Sequence, residues 1–402
     1  MKILFLTTGR FGNIEDHAIY PDLLRAVRDA GHYVYSVSSY EKKVGKKTEY
    51  KDENGTKALR VKIGNITKCG IIEKGISTLR IEGQYKRAIK KYFKGVKFDL
   101  VLYSTPPITL VNVIKYIKKR DGARSYLMLK DIFPQNAVDL GMMKKSGLKG
   151  LIYKFFRRKE KKLYEVSDYI GCMSQANVDY VKNNNPEVAD EKLEICPNSV
   201  EICERDITEA ERNSIREKYG LPLDKKIFVY GGNLGKPQGI PFLIECLKLQ
   251  KNKDAFFLIV GDGTEYKRLE AYVDEYKPDN VKLLRRLPKD DYDKMIYACD
   301  VGMIFLDHRF TIPNFPSRLL AYMQAGLPVL ATTDPNTDVG KVITEGGFGW
   351  WCESNDVSAF TELVEKALSA DLATMTQLER NFLKENYTSK HACEIILKRM
   401  AD

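Results

Sequence analysis

What most narrows the folds open to this chain is a recurring unit: a short apolar run, a turn rich in glycine or proline, then a stretch with helical spacing of apolar residues. Its first instance is residues 2–8, the loop Gly9-Arg10-Phe11-Gly12-Asn13, a helix entered through Tyr20-Pro21-Asp22 and stopped at Gly31, and a second strand at His32–Val37. Further strands are expected at Leu59–Ile63, Asp99–Ser104, Ser125–Leu129, Tyr169–Met173 and Leu193–Cys196. A second series starts at Ile227–Tyr230 and continues through Phe256–Val260, Val281–Leu287 and Val301–Leu306. Strands that alternate with helices pair in parallel, and ligands then gather at the strands' carboxyl ends. Pro197-Asn198-Ser199-Val200 and an acidic, helix-prone linker separate the two series. An α/β protein of two doubly wound domains is therefore expected.

The length of 402 residues suits that division, since single cores rarely grow beyond about 250–300 residues. Hydrophobic residues make up 44% of the chain, which excludes a disordered protein. The net charge of +11 is unevenly placed: residues 1–200 hold 38 Lys and Arg against 22 Asp and Glu, whereas residues 201–402 hold 27 against 32. A basic first half implies an anionic partner, either nucleic acid, phospholipid headgroups or a diphosphate-bearing substrate. No nucleic-acid motif or aromatic stacking platform accompanies the charge, so nucleic acid is not expected. The eight cysteines are scattered without a Cys-x-x-Cys pair, which argues against zinc or a disulfide framework. Cys172, Cys196, Cys246 and Cys299 lie in apolar segments, as reduced thiols do, and point to the cytoplasm. The first apolar run is too short for a signal peptide, and no run of about 18 apolar residues offers a membrane span.

The most informative stretch is Thr311–Thr333, TIPNFPSRLLAYMQAGLPVLATT. Pro316 sets the backbone before a helix, Ser317 is a candidate cap, and Leu319, Leu320, Met323 and Leu327 form an apolar stripe. Gly326 ends the helix, and Pro328–Thr333 reads as a buried parallel strand. Such a helix start, with Ser317 and Arg318 in its first turn, favours an anion by about 0.3–1 kcal/mol per charge. A second candidate is Gly231-Gly232-Asn233-Leu234-Gly235-Lys236-Pro237-Gln238-Gly239-Ile240, where glycines let the backbone approach a diphosphate and Lys236 supplies charge. A helix start that binds no ligand is the alternative for the first segment, and a loop shaped by structure alone is the alternative for the second.

Pro316-Ser317-Arg318-Leu-Leu-Ala-Tyr-Met-Gln-Ala-Gly326-Leu-Pro328-Val resembles the nucleotide-sugar motif of retaining glycosyltransferases of the GT-B fold, family four-like, particularly the bacterial capsule and O-antigen group. Gly231–Gly239 resembles their Gly-Gly-x-Leu-x-x-x-x-Gly loop. The resemblance spans nearly the whole chain, with its distinctive motifs in the second half. It implies two facing Rossmann-like domains with parallel sheets and an interdomain cleft: residues 1–200 on the acceptor side, 201–385 for the nucleotide sugar, and a C-terminal helix within 386–402 crossing back. In the family the first motif carries two glutamates, one on the donor sugar and one on the ribose; Pro313 and Ala321 stand there. The family's Arg and Lys on the diphosphate are replaced by Asn233 and Gln238, which shifts the cationic role to Lys236 or Arg318. Donor contacts are then expected from Gly232, Asn233, Gln238 and Ser317, with Arg286 and Leu287 beside the base.

In the first half the resemblance places Gly12, Asn13 and His17 on the acceptor side. Lys130-Asp131-Ile132-Phe133-Pro134 resembles the family's acceptor loop, in which Asp131 orients or partly deprotonates the acceptor hydroxyl and Lys130 pairs with phosphate. A turn tied by an aspartate is the alternative. An ordinary Asp, with pKa about 3.9, is too weak a base to take an alcohol proton unaided. Between Leu148 and Tyr164 an amphipathic helix gathers Leu148, Leu151, Ile152, Phe155, Phe156 and Leu163 on one face and Lys154, Arg157, Arg158 and Lys161 on another. That basic face is either solvated or set against an anionic membrane surface. Asp291-Tyr292-Asp293 mimics a metal-binding Asp-x-Asp but opens a helix, where acidic residues are favoured in any case, so no metal or other cofactor is expected. Asp334-Pro335-Asn336-Thr337-Asp338 exits a strand, and Asp334 and Asp338 either form the turn or bind donor hydroxyls in place of the missing glutamates.

The reading these features support is a metal-independent retaining glycosyltransferase, of hexosyl or N-acetylhexosaminyl type, acting in cell-surface polysaccharide assembly at the inner face of the plasma membrane. A nucleotide diphosphate sugar, foremost a UDP-sugar, is the expected donor, and a polyprenyl-diphosphate-linked saccharide the expected acceptor. Two readings stand beside it: a sugar-nucleotide 2-epimerase of the same fold, and a non-catalytic nucleotide-sugar-binding homologue, which Pro313 and Ala321 keep open.

Overall fold

The computed structural model describes residues 1–9, 12–203 and 205–401. The chain forms two units, one of Met1–Glu201 together with the C-terminal helix Ser389–Ala401, the other of Ile202–Tyr387.

The first unit is built on eight strands: β1 (Lys2–Leu6), β2 (Tyr33–Glu41), β3 (Glu49–Glu53), β4 (Thr56–Ile63), β5 (Leu100–Ser104), β6 (Arg124–Leu129), β7 (Tyr169–Cys172) and β8 (Leu193–Ile195). They lie in the order β3-β4-β2-β1-β5-β6-β7-β8, parallel throughout except for β3 against β4. β1 and β5 are buried along nearly their whole length, which explains why their sequences are continuous apolar runs and not alternating ones. The order reverses between β1 and β5, so the first crevice at the strands' carboxyl ends lies there. Helices Ile19–Asp29 and Ser389–Ala401 pack together against β1, with Leu24, Val27, Ala392, Cys393 and Ile396 buried beside Ile3 and Phe5.

β3 is a strand the sequence pattern does not announce, because Glu-Tyr-Lys-Asp-Glu is charged and exposed. Asn54 and Gly55 join it to β4, with φ of 46° and 84°, the left-handed pair that a two-residue hairpin requires. The amphipathic helix spans Gly147–Val166, and it departs from the expected packing. Leu163 is buried, but Leu151, Ile152 and Phe155 are 63%, 53% and 43% exposed; the side chain of Leu148 lies outside the described residues. The buried part of the helix is its last two turns, through Glu160, Leu163, Tyr164 and Val166. The first turns carry their apolar residues into solvent.

The second unit has six strands, β9 (Lys226–Asn233), β10 (Ala255–Asp262), β11 (Val281–Arg285), β12 (Val301–Phe305), β13 (Val329–Thr333) and β14 (Gly349–Glu353), all parallel, in the order β11-β10-β9-β12-β13-β14. Here the order reverses between β9 and β12, which puts the second crevice at the ends of those two strands. β14 is an edge strand and holds Trp350 and Trp351, the latter donating its indole N–H to Thr333 Oγ1 at 2.8 Å. Arg318–Ala325 is the expected helix, ended by Gly326 at φ 68°.

Candidate functional site

The loops after β9 and β12 meet at the second crevice. Asp307 N–H, just past β12, donates to the Pro237 carbonyl at 2.9 Å. Gly239, at φ 55°, takes a left-handed conformation that favours glycine at the point where the two loops meet. Within the β9 loop Asn233 Nδ2 donates to Gln238 Oε1 at 2.9 Å, and Gly235 N–H donates to the same oxygen at 3.2 Å. Asn233 and Gln238 are thus spent on the loop's own shape. Lys236, at the tip, is exposed and makes no ion pair among the described residues.

Gly231 and Gly232 have a reason the sequence did not reveal. A Cβ on Gly231 would overlap the Tyr292 hydroxyl, and a Cβ on Gly232, whose φ is 125°, would overlap the Arg318 guanidinium. The double glycine makes room for two of the protein's own side chains, and Gly232 itself is exposed. It also brings together what the sequence kept apart, since Gly232 ends β9 and Arg318 opens the helix 86 residues later. The Arg318 guanidinium carbon sits 4.1 Å from the centre of the Tyr230 ring. No carboxylate lies within ion-pair distance of Arg318 among the described residues. Ser317 occupies the position before the helix, exposed, but its side chain makes no capping bond: its backbone is already helical, at φ −63° and ψ −13°, so the hydroxyl is not turned onto the first amides.

The exit loop of β13 is knitted to the segment leading into that helix. Thr337 Oγ1 donates to the Asn314 carbonyl at 2.6 Å, and Asn336 Nδ2 to the Phe310 carbonyl at 2.6 Å. Asp334 is wholly buried, and its Oδ1 accepts the Asn336 and Thr337 N–H groups at 2.9 and 3.2 Å, the turn-forming role. Its Oδ2 and the Asn314 Nδ2 are buried without partners among the described residues. Burial pushes the Asp334 carboxyl up to about 6. Asp338 is half-buried at the start of helix Val339–Glu345. Pro313 and Ala321 confirm that no carboxylate stands at either motif position.

Arg286 is exposed and Leu287 half-buried, in the segment joining β11 to helix Lys289–Ile296. In that helix Asp291 pairs with Lys218 at 3.3 Å and Asp293 pairs with Lys289, so both carboxylates of the Asp-x-Asp face surface lysines. Tyr292 between them turns inward to Gly231.

In the first unit, β6 ends in Lys130 and Asp131, whose amides both donate to Thr105 Oγ1, at 2.9 and 3.1 Å, across from the end of β5. Asp131 Oδ1 accepts from Asn136 Nδ2 at 2.8 Å. Burial outweighs that bond and raises the carboxyl to about 6, so Asp131 is a better base than its residue type alone implies. Lys130 is placed differently from expectation. Its ammonium is directed at the Cys196 carbonyl, 3.4 Å away, and burial lowers it to about 8, so it is no outward clamp for phosphate. Gly12 and Asn13 are held as a turn: the Gly12 carbonyl accepts from Arg60, Asn13 N–H donates to Asp16 Oδ2 at 2.8 Å, and Asn13 Oδ1 accepts from Glu15 N–H at 3.1 Å. His17 lies with Asp22 and Glu201 in a group that could ligate a metal by distance alone. Arg25 fills that place, paired with Asp22 at 2.7 Å and Glu201 at 2.5 Å, so His17 stands 3.9 Å from a carboxylate already taken.

Residues the sequence reading did not single out are Tyr230, Tyr322 and Thr105, together with the inward turn of Tyr292. The signals were present in the Tyr-Gly-Gly of β9 and in the middle residue of Asp-x-Asp, but only packing shows where those rings go.

Comparison with known proteins follows the same geometry. Residues 211–387 match the family model "Glycosyl transferases group 1". A Pseudomonas aeruginosa protein described as glycosyltransferase WbjE is 26% identical over 75% of this chain and 74% of its own. A protein of Escherichia coli (strain K12) described as a colanic acid biosynthesis glycosyl transferase, WcaI, is 24% identical over 72% of each. Among solved structures, sucrose-phosphate synthase from Thermosynechococcus elongatus superposes with a TM-score of 0.74 at 16% identity, covering 99% of this chain and 98% of that one. Anabaena HepE, in complex with UDP and glucose, superposes with a TM-score of 0.69 at 14% identity, covering 100% and 99%.

Proposed function

From its place among the GT-B glycosyltransferases of the capsule and O-antigen kind, we propose that this chain transfers a sugar from a nucleoside diphosphate sugar to a lipid-linked saccharide with retention of configuration. The observation that carries the reading is Arg318: a half-buried guanidinium at the β9/β12 crevice with no carboxylate within ion-pair distance among the described residues. Removing a charge from water without a partner is costly, so such a cation is built to receive an anion. A diphosphate suits it, because the guanidinium fork binds phosphate oxygens bidentately. UDP bound to the HepE structure supports the choice of nucleotide.

In this reading the anomeric carbon leaves the diphosphate oxygen and joins the acceptor hydroxyl on the same face. Arg318 and Lys236 stabilise the charge growing on the departing phosphate. The hydroxyl's proton passes to that phosphate. Asp131 is read as orienting and partly deprotonating the acceptor hydroxyl. Asp338, half-buried at the start of helix Val339–Glu345, is read as supplying donor-hydroxyl contacts where the family's glutamates are missing, with buried Asp334 shaping the loop that carries it. The test is to incubate a panel of UDP-sugars with the protein, with and without a polyprenyl-diphosphate-linked saccharide. UDP release that requires the acceptor is expected. Isomerised sugar nucleotide formed from donor alone would replace this reading with an epimerase, and bound donor that never reacts would replace it with a binding protein.

The partner surface is read as an anionic membrane. Among the described residues no helix is long and apolar enough to cross a membrane. Of the four expected basic residues on helix Gly147–Val166, Lys154 and Arg158 are exposed, whereas Arg157 is turned to Glu160 and Asn185, and Lys161 to Glu187. The exposed Leu151, Ile152 and Phe155 beside Lys154 and Arg158 are the composition of an interfacial helix. The first turns of helix Ile71–Tyr92 show the same mixture, with Ile72, Ile76 and Leu79 exposed near Lys74 and Arg80. Co-sedimentation with anionic vesicles is expected to fall with added salt and to be lost when Lys154 and Arg158 are reversed to glutamate together with Leu151→Ser and Phe155→Ser. Equal sedimentation with neutral and anionic vesicles would remove the anionic partner.

A further inference from the structure

We infer that Tyr230 is a positioning residue for Arg318, which it holds in place as an unpaired cation ready for an anionic ligand. The inference rests on the reading of Arg318 as the group that receives the donor diphosphate.

Four enclosed arginines that meet carboxylates are the starting contrast, and Arg124, half-buried without a carboxylate among the described residues, donates instead to the Arg399 carbonyl at 2.6 Å. Arg25 pairs with Asp22 and Glu201, Arg60 with Glu53, Arg157 with Glu160, and Arg216 with Asp300. Arg318 has the Tyr230 ring instead. The Tyr230 ring lies under its guanidinium at 4.1 Å, and the Tyr230 hydroxyl donates to the Asn233 carbonyl at 2.8 Å, so the ring is fixed from both ends. Tyr292 enters from the neighbouring helix, filling the space above Gly231. Tyr322, one turn beyond Arg318 on the same helix, is wholly buried. Its hydroxyl lies 3.1 Å from the Val229 carbonyl and 3.0 Å from the Met303 carbonyl, and Gly231 N–H donates to it at 3.4 Å. Those contacts pin the helix to both strands that flank the crevice, and Gly302 makes room for the Tyr322 ring, since a Cβ there would overlap it.

A carboxylate in place of these rings would hold Arg318 more firmly, but it would compete with an incoming phosphate. An aromatic face attracts a cation more weakly and leaves the guanidinium edge free to donate hydrogen bonds. Gly231 and Gly232 near the carboxyl end of β9, and Gly302 at the start of β12, are the sequence cost of fitting two rings and a guanidinium against these strands. The Asp-x-Asp triplet acquires a role through its middle residue, while its carboxylates serve the helix surface.

The experiment compares dissociation constants for UDP and for uridine by calorimetry in the wild type, Tyr230→Phe, Tyr230→Leu and, as a control, Arg318→Gln. Tyr230→Leu removes the ring and is expected to weaken UDP about 3- to 30-fold while leaving uridine unchanged, because only the phosphate contact depends on where the guanidinium sits. Tyr230→Phe keeps the ring and should stay within about 3-fold of the wild type for UDP, a rescue that a merely structural role for the hydroxyl would not give. UDP affinity unaltered in Tyr230→Leu, or UDP and uridine weakened equally, would overturn the positioning role. If Arg318→Gln itself left UDP affinity unchanged, the donor reading would fail first; if Arg318→Gln weakened UDP and Tyr230→Leu did not, only the present inference would fall.

Discussion

Replacing Asp131 with asparagine should leave a folded, donor-binding protein whose sugar transfer is slowed by about 10²–10⁴-fold, the range a positioned general base contributes. The amide keeps the shape of the carboxyl and can still accept the bond from Asn136, so the loop between β6 and the following helix should hold. What it loses is the charge. Because burial raises the Asp131 carboxyl from 3.8 to about 6, its ionisation should appear as an acid limb in the rate profile: kcat/KM rising with pH up to about 6 and then level. That limb should vanish in Asp131→Asn. The stability signs run the other way from activity. A carboxyl whose folded pKa is raised costs stability as pH climbs from its unfolded value through its folded one, so above about pH 6 the asparagine variant should be at least as stable as the wild type. A lower thermal midpoint at pH 7 together with an unchanged acid limb would show that Asp131 ties the turn and does no proton work.

Much of the fold was legible because parallel strands buried on both faces leave continuous apolar runs, and β1, β5, β6, β9, β10, β12 and β13 all read that way. β3 was not, since an exposed edge strand has no apolar face to betray it and only Asn54-Gly55 marks the hairpin. The Gly147–Val166 helix was legible as amphipathic but not as inverted in its first turns, because periodicity locates an apolar face without saying what covers it. At the candidate site, Arg318 and Asp131 could be singled out from their places at a helix start and a strand end. Their environments could not. Asp131 owes its raised pKa to burial by distant residues, and Lys130, its neighbour, turns inward for reasons that lie at Cys196. The Gly231-Gly232 pair suggested the close approach of a ligand, and the groups that approach it within the protein are Tyr292 and Arg318. A glycine in sequence states that something approaches closely; which group approaches is decided by chains brought in from far along the polypeptide.

The most direct measurement is a calorimetric titration of UDP into the wild type and into Arg318→Gln. Glutamine preserves length and a hydrogen-bond donor but carries no charge, so the difference isolates the guanidinium. In the wild type the cation meets no competing carboxylate among the described residues and is held against Tyr230, so the full charge-assisted bond is available to phosphate. Such a bond contributes about 1.5–3 kcal/mol, which corresponds to UDP binding weakened about 10- to 150-fold in Arg318→Gln, with the wild-type affinity falling as salt is added and the variant's falling less steeply. UDP that binds Arg318→Gln as tightly as the wild type, with the same salt dependence, would contradict the placement of the donor diphosphate at the β9/β12 crevice.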